Sequence, residues 1–471
     1  MRKMITFSKS FFLMLLTMMG IASLSPSLVN PQIADDLYRI DITRITAVFD
    51  YYPEQYYVDC HALVEFQMRP GQQRPVIHLD PVIRNNTIRL LRLNNENLDF
   101  SSNSDVRILS YSDTSQQGIE FQRDLAAGLI HILEISYRKS LPSGYPRFSS
   151  EVNDLEGRGN EELFPTLNTP HELARHVLTF RVHSAELFRC IGSGLVVRDN
   201  ADVQQWTLDT EREMASYTVM FVIMPEEDTI LEERNIGGIN VRVLAFIGGA
   251  SINSAFALLE TWLPELEANL GPFPMPHGLS IFLVSSGGGM EYYGGTISSL
   301  WALDHEVFHM YFACSTVNST YRDSWLDEAI DSWYENSINP FYSPIAGDYR
   351  SNIVSGRTAA AVGFDRRAYN EGSRIIEAVA RELGGRNEMI AFLRHVHSLY
   401  SFAPFTTLEF LDYLENYSGL NMSDRFMTWL YSADDTAVES DLGFYGPHQK
   451  VDMTPPELLL NKYGIHKKRE K

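Results

Sequence analysis

The hydrophobic period of the chain changes near residue 238, and this change constrains the fold more than any other feature of the 471-residue sequence. Before it, short alternating runs are rich in β-branched and aromatic residues, a pattern typical of half-buried strands. These runs lie at residues 57–68, 76–79, 129–137, 176–182 and 217–223. After it, apolar residues recur every three or four positions, as on one helical face. We therefore predict an α+β protein: an N-terminal antiparallel β domain of saddle or sandwich type, then a mainly helical domain.

We assign the β domain to residues 35–235, the helical domain to 236–450 and a C-terminal tail to 451–471. A buried strand is predicted at 279–284. Helices are predicted at 251–270, 298–314, 324–336, 370–383, 388–400, 407–417 and 423–431. Two of them have terminal signals: Thr406 with Glu409 forms a capping box, and Gly271 stops the first helix.

The N-terminus resembles an export signal. Three basic residues precede an apolar run at 11–21 that ends in small residues, as in a secretory signal peptide spanning residues 1–22. The run is shorter than the roughly 18 residues that cross a bilayer, although an uncleaved signal anchor is the alternative. We expect a periplasmic or extracellular protein with no stable membrane span.

The charge balance excludes one class of partner. The chain has 39 Lys and Arg against 60 Asp and Glu, a formal net charge of −21. Nucleic-acid binding depends on neutralising phosphates with basic residues, so no nucleic-acid partner is expected. The three scattered cysteines are too few for a disulfide framework.

A metal-binding pattern lies in the string His305-Glu306-Val307-Phe308-His309. Histidines four positions apart lie on one face of a helix, so both imidazoles can reach one metal ion. Glu306 is about 100° further round the helix and can face a reacting water instead. A solvated polar helix face is the alternative.

A third ligand is expected because catalytic zinc usually takes three protein ligands. Glu328 follows His309 after 18 residues, a spacing that allows a second, antiparallel helix to bring its carboxylate back. Asp327 is a competing carboxylate. Glu335, seven residues after Glu328 on the same helical face, is either an orienting group for a ligand histidine or an exposed acid.

The order of these residues resembles the zinc signature of the aminopeptidase N family, in which the second motif reads Trp-Leu-Asn-Glu-Gly where this chain has Trp-Leu-Asp-Glu-Ala. Further motifs occur in the family's order. Gly288-Gly289-Met290-Glu291-Tyr292 is similar to its Gly-x-Met-Glu-Asn exopeptidase motif, and Tyr369-Asn-Glu-Gly resembles its Tyr-x-Lys-Gly segment.

A fourth motif lies in the β domain. Phe164-Pro-Thr-Leu-Asn-Thr-Pro170 resembles the family's Phe-Pro-Cys-Phe-Asp-Glu-Pro segment, and Glu156 lies 14 residues before the final proline, where the family has an amine-binding residue. The resemblance spans residues 40–435. It implies a thermolysin-like catalytic domain and a zinc aminopeptidase acting on peptides with a free N-terminus.

The resemblance also implies a role for each residue. One Zn²⁺ per chain would be held by His305, His309 and Glu328, with Glu306 as general base and Tyr369 as oxyanion donor. The substrate-binding residues would be Glu291 and Glu156 for the free amine, with Gly288, Gly289 and Met290 on an edge strand along which the substrate backbone lies.

Two departures and two alternatives remain. Glu371 stands where the family has lysine, and a negative charge there is expected to raise the pKa of Tyr369. About 140 residues follow Glu328, so no counterpart of the large C-terminal helical domain is expected. A zinc endopeptidase is the alternative enzyme, and a weakly active exported binding protein is the alternative outside enzymes.

Overall fold

The computed structural model describes residues 39–79, 87–110, 117–141, 147–150, 163–167, 172–200, 204–318, 323–351, 353 and 367–430. The predicted signal segment 1–22, Glu156 and the tail 451–471 lie outside these residues. No helix of the described ranges is both long and apolar enough to cross a bilayer.

The first domain is built from strands, as the alternating runs predict. They are β1 (Ile40–Tyr52), β2 (Tyr57–Met68), β3 (Val76–His78), β4 (Ile88–Leu93), β5 (Glu96–Asn97), β6 (Val106–Ser110), β7 (Gln117–Phe121), β8 (Ile130–Ser140), β9 (Phe148–Ser149), β10 (Leu173–Val182), β11 (Phe188–Gly192), β12 (Leu195–Asn200), β13 (Gln205–Ala215) and β14 (Phe221–Pro225).

Eight of these strands form one large sheet in the order β12-β13-β10-β1-β2-β8-β4-β5. All neighbouring pairs are antiparallel except β1 and β10, which run parallel. The large sheet is therefore mainly antiparallel, as predicted, with one parallel pair that was not foreseen. A parallel pair requires a long crossover connection, which local alternation in the sequence cannot reveal.

Two three-stranded sheets, β11-β14-β9 and β3-β7-β6, complete the first domain. Aromatic rings join the large sheet to the first small one: Phe221 of β14 lies 4.6 Å from Phe180 of β10 and 4.9 Å from Phe148 of β9, measured between ring centroids. The inward face of each strand supplies these rings because strand side chains alternate.

The second domain begins with a five-stranded mixed sheet, and the sequence patterns predicted only one of its strands, at 279–284. Its strands are β15 (Thr229–Ile236), β16 (Ile239–Phe246), β17 (Leu279–Val284), β18 (Gly289–Tyr292) and β19 (Gly295–Ser299), in the order β15-β16-β17-β19-β18. The expected domain boundary at 235/236 falls at the end of β15. β18 is an edge strand, antiparallel to β19. The description "mainly helical" therefore applies to this domain only after residue 299.

The helices that follow are α1 (Ile252–Leu270), α2 (Leu303–Phe308), α3 (Trp325–Asn336), α4 (Ser373–Leu383), α5 (Arg386–Tyr400), α6 (Thr407–Ser418) and α7 (Ser423–Leu430), with α1 lying between β16 and β17. A π-helical turn (Ala368–Gly372) precedes α4, and β20 (Thr316–Asn318) pairs in parallel with β21 (Ala403–Phe405). Five predicted helices are confirmed to within two residues, and the capping box of Thr406 and Glu409 is present.

The helix predicted at 298–314 is wrong in length, since α2 has only six residues. Residues 298 and 299 belong to β19. Beyond His309 the backbone makes tighter turns, with the Met310 amide donating to the Val307 carbonyl, and Ala313 has a φ of 108°. A left-handed backbone cannot continue a right-handed helix.

Candidate metal centre and cleft

Two histidines and one glutamate converge on a common point. His305 lies on α2, His309 immediately follows that helix, and Glu328 lies in the first turn of α3. The two imidazole Nε2 atoms are 3.2 Å apart, and Glu328 Oε2 lies 3.1 Å from His305 Nε2 and 3.4 Å from His309 Nε2. Ligand atoms about 2.0–2.1 Å from a tetrahedral zinc are separated by about 3.3 Å, so the three residues fit one zinc ion.

The opposite ring nitrogens are held by other groups. His309 Nδ1 lies 3.0 Å from the Phe312 carbonyl, and His305 Nδ1 lies 2.8 Å from Asp331 Oδ2. A hydrogen on each Nδ1 leaves the Nε2 lone pair free for a metal. Glu335, the orienting residue considered from sequence, is further from His305 Nδ1, at 3.5 Å.

Asp331 is a candidate site residue that the sequence patterns did not indicate. It lies three residues after Glu328 on the same face of α3 and is fully buried. Together with His305 and His309 it makes a second possible metal-binding group. The 2.8 Å between Asp331 and His305 Nδ1 is a hydrogen-bond distance, shorter than the separation of two ligands on one ion. Glu328 therefore fits the ion better, and Asp331 fits the orienting position.

Asp327, the competing carboxylate, points elsewhere. One of its oxygens accepts the Glu328 backbone N–H at 2.7 Å and the other accepts the Asn318 side-chain amide. Both contacts hold the start of α3 in place. Asp327 and Glu328 therefore make different contacts, because consecutive residues of a helix point about 100° apart.

The charges around this point favour a bound cation. Burial alone would lower the pKa of His305, but the carboxylates of Asp331 and Glu328 raise it well above its usual range. Burial alone would raise the pKa of Glu328, but hydrogen bonds from His305 and His309 lower it to about 2. Glu291 and Glu306 are two further acidic groups that interact with these histidines. An excess of buried carboxylates is costly unless a cation neutralises it. The charge of the site therefore fits zinc, as the distances between the ligand atoms do.

Glu306 lies beside the three ligand atoms without a partner of its own. Its side chain is 5% exposed, and Oε2 has no hydrogen-bond partner among the described residues. Burial and the charge of Glu291 raise its pKa. The carboxylate packs against Gly289 of β18, where a Cβ atom would lie only 2.4 Å from Glu306 Oε1. Glycine is therefore required for this close approach.

Tyr369 approaches the centre from the π-helical turn. Its hydroxyl donates to Glu328 Oε1 at 2.6 Å, and its ring lies 5.8 Å from the His305 ring. Gly372 lets the turn lie close to α3, because a Cβ there would be 2.8 Å from Ala329 Cβ.

Burial and the Glu328 carboxylate raise the pKa of Tyr369, and Glu291 and Glu306 add to this effect. Glu371, which was expected to raise the pKa of Tyr369, contacts a different tyrosine. Its carboxylate accepts a hydrogen bond from the Tyr349 hydroxyl at 3.1 Å. The raised pKa of Tyr369 is thus explained by the metal centre's own carboxylates.

The proposed substrate-binding motif lies on the edge strand β18. Gly288 and Gly289 are exposed, and Met290 and Glu291 are half-buried. Burial raises the pKa of Glu291, and its carboxylate interacts electrostatically with His309. Glu156 lies outside the described residues, so its position relative to this strand stays a prediction.

A cleft of about 630 Å³ opens beside the metal centre. Its lining includes five residues of the candidate site: Gly288, Gly289, His305, Glu306 and Tyr369. Aromatic and acidic residues also line it: Trp262, Trp301, Tyr334, Glu265, Asp304 and Glu335. A concave site that meets a buried, unpartnered carboxylate is where a substrate can react.

No protein-family model matches the sequence, and a search of curated proteins gives no significant match. Solved structures do match. A mutant M1 zinc metallopeptidase from Deinococcus radiodurans, bound to a Tyr-Ser-Ala substrate, superposes with a TM-score of 0.62 at 15% identity, covering 83% of this chain and 94% of that one. The chain has the fold of the M1 zinc metallopeptidases. The likeness to the aminopeptidase N family seen in the motifs agrees with this M1 fold.

Two other solved structures extend the comparison. Native yeast LTA4 hydrolase matches with a TM-score of 0.62 at 14% identity, over 93% of this chain and 74% of that one. Aminopeptidase A of Legionella pneumophila, in complex with aspartic acid, matches with a TM-score of 0.66 at 12% identity, over 84% and 50%. Identities this low show the M1 fold alone, so the activity has to be argued from the site.

Proposed function

We propose that the protein is a zinc-dependent aminopeptidase that removes N-terminal residues from peptides. The strongest support is the triangle of His305 Nε2, His309 Nε2 and Glu328 Oε2, with sides of 3.1 to 3.4 Å, beside the unpartnered carboxylate of Glu306. Zinc bound there would polarise the scissile carbonyl and make water acidic enough to be deprotonated.

Glu306 is the general base in this proposal. Its carboxylate is buried, faces the cleft and has no competing partner in the described part of the chain. Burial and the neighbouring Glu291 raise its pKa, which makes it a better proton acceptor than an exposed carboxylate. It takes the proton from the attacking water and returns it to the leaving amine.

Tyr369 donates a hydrogen bond to the oxyanion that develops on the substrate carbonyl. Its raised pKa keeps the phenol protonated at neutral pH, so the hydroxyl remains a donor. The same hydroxyl donates to Glu328 Oε1 in the structure, which places it at the edge of the ligand set.

The preference for a free N-terminus rests on Glu291. An extended peptide can add to the free edge of β18 through main-chain hydrogen bonds at Gly288, Gly289 and Met290. Glu291 would then bind the substrate ammonium, with Glu156 as a second anchor. The peptide bound to the Deinococcus structure and the name of the Legionella enzyme support a peptide substrate and exopeptidase activity.

We further propose that the protein is exported, since residues 1–22 have the pattern of a signal peptide. The similarity to a structure described as a two-domain M1 peptidase supports a two-domain enzyme of the short form.

The test is a panel of fluorogenic amino-acid amides, with free and acetylated amines, assayed with zinc and with a chelator. Free amides should be hydrolysed only with zinc, and acetylated amides should resist. Glu306→Gln should bind one zinc per chain yet hydrolyse almost nothing. Equal cleavage of acetylated substrates would make the protein an endopeptidase, and no cleavage of any amide would favour a binding protein.

A further inference from the structure

We propose that the cleft beside the metal centre receives the second residue of the substrate and selects a cationic side chain, lysine or arginine, at that position. This inference rests on the proposed aminopeptidase function and adds a substrate class to it. It is carried by the direction of β18, by the charges on the cleft walls and by exposed aromatic surface.

The direction of β18 decides which part of a peptide enters the cleft. Glu291, the proposed amine anchor, does not line the cleft, whereas Gly288 and Gly289 do. Glu291 lies two positions from Gly289, about 6.6 Å at the usual rise, which is the span of two extended substrate residues. The second residue of a peptide held at Glu291 therefore lies beside Gly289. Glu306, the proposed base, lines the same cleft, and its buried Oε2 has no hydrogen-bond partner among the described residues, so the scissile bond lies beside it. The residue after the bond therefore lies in the cleft.

The walls of the cleft carry an excess of negative charge. Glu265 is exposed, while the Asp304 and Glu335 side chains are partly exposed, so all three remain accessible to a ligand. Arg386 is the basic side chain of the lining, apart from the metal-site histidine. A cationic side chain would gain attraction from these carboxylates, and an acidic one would be repelled.

Arg386 offsets only one of the three negative charges of Glu265, Asp304 and Glu335. Its guanidinium donates to the Tyr334 carbonyl at 3.3 Å and to the Ser337 hydroxyl, and lies 4.7 Å from the centroid of the Tyr334 ring. These contacts commit it to the end of α3. The carboxylates are left as the groups that a substrate side chain meets.

Aromatic rings supply the second half of the recognition. Trp301 is 74% exposed at the rim, and its ring is the nearest atom group to a Cβ built on Gly288. Trp262 lies deeper, 6.4 Å from the Tyr334 ring. The aliphatic stem of lysine or arginine can lie along such rings while its cationic end faces carboxylates or a ring face.

The test compares peptides Ala-Xaa-Ala-Ala in which Xaa is lysine, its neutral isostere norleucine, or glutamate. Release of the first alanine should show a kcat/KM for lysine about tenfold above that for glutamate, with norleucine between. The ratio should shrink at high salt, since screening weakens charge interactions and leaves apolar contacts. Equal kcat/KM values for the three peptides would overturn the proposal.

A matched pair of variants tests the origin of the preference. Glu265→Gln should lower the lysine-to-glutamate ratio severalfold through KM, with the norleucine peptide unaffected. Glu260 lies on the same helix but outside the cleft lining, and its carboxylate is 3.6 Å from Arg234. Glu260→Gln therefore removes a charge of the same kind, and the lysine-to-glutamate ratio should stay at the wild-type value. Equal shifts in the two variants would refute recognition by the cleft.

A binding measurement separates this inference from the aminopeptidase proposal. If no peptide is hydrolysed, the proposed activity fails, and calorimetry of the three peptides with zinc-loaded Glu306→Gln protein then decides the cleft's preference. Tighter binding of the lysine peptide than of the glutamate peptide supports the inference. Equal affinities overturn it.

Discussion

Replacing Gly289 with alanine should disable the proposed base while leaving the metal in place. A Cβ atom at this position would lie 2.3 Å from Glu306 Cγ, 2.4 Å from Oε1 and 2.5 Å from Cδ, whereas ordinary contacts begin at 3.4 Å. The carboxyl group must therefore move by about 1 Å, because the edge strand is fixed by its pairing with β19. The three atoms nearest to the new methyl group all belong to Glu306, so the substitution acts first on the base.

The size of the effect follows from that displacement. Misplacing a reacting group by about 1 Å costs about 100-fold in rate, equivalent to about 2.7 kcal/mol of transition-state stabilisation. The Gly289 backbone is outside the left-handed region, so alanine can adopt it without strain. We expect kcat to fall about 100-fold while the zinc content stays at one per chain.

The assay is steady-state hydrolysis of an amino-acid amide, with zinc measured by mass spectrometry on the same sample. Gly288→Ala is the matched control, because the nearest atom to its Cβ would be Trp301 Cζ2, at 4.0 Å. Its loss of activity should be much smaller. Full activity in Gly289→Ala would refute the reasoning that Glu306 is held against this strand, and loss of zinc would show that the substitution acts through the ligands.

Three further predictions concern the other supports of the site and the fold. Tyr369→Phe should lower kcat about 100-fold with little change in KM, whereas a matching rise in KM would indicate a packing role. Asp331→Asn should weaken zinc binding 10- to 100-fold or so in a competition titration with a chromophoric chelator, and Glu335→Gln much less, because it lies further from His305; equal losses would contradict this. His176 is buried and its pKa is lowered to about 3, so only the unfolded state gains its proton below about pH 6.5 and the folded state loses stability as the pH falls. Between pH 7 and pH 5, the free energy of unfolding measured with urea should fall less for His176→Gln than for the wild type. Equal falls in the two proteins would contradict this role of His176.

Local patterns in the sequence predicted the elements whose period is regular. Five of the helices after residue 238 agree with their predicted bounds to within two residues, and β2 has the predicted bounds. Amphipathic spacing and end signals such as the Thr406 capping box act within a few residues, so a single sequence is enough to recognise them. The strands β18 and β19 were missed because four or five residues carry little periodicity.

The helix expected at 298–314 shows the limit of such patterns. Apolar residues continue past His309 at helical spacing, yet the chain leaves the helix there and turns toward β20. The Phe312 carbonyl then lies 3.0 Å from His309 Nδ1. This contact joins two groups that only the folded turn brings together, so helix periodicity in the sequence cannot predict it.

The sequence by itself determined which reactive groups this protein can bring together: two histidines on one helical turn, a glutamate between them, and the carboxylate of Glu328 after 18 intervening residues. These follow from helix geometry, which depends only on spacing. Only the tertiary structure decided that Asp331 rather than Glu335 lies closest to His305, that Gly289 admits the Glu306 carboxylate, and that acidic and aromatic walls meet in one cleft. Each of these facts joins residues from different helices and strands, and contacts between such elements arise from packing rather than from local sequence.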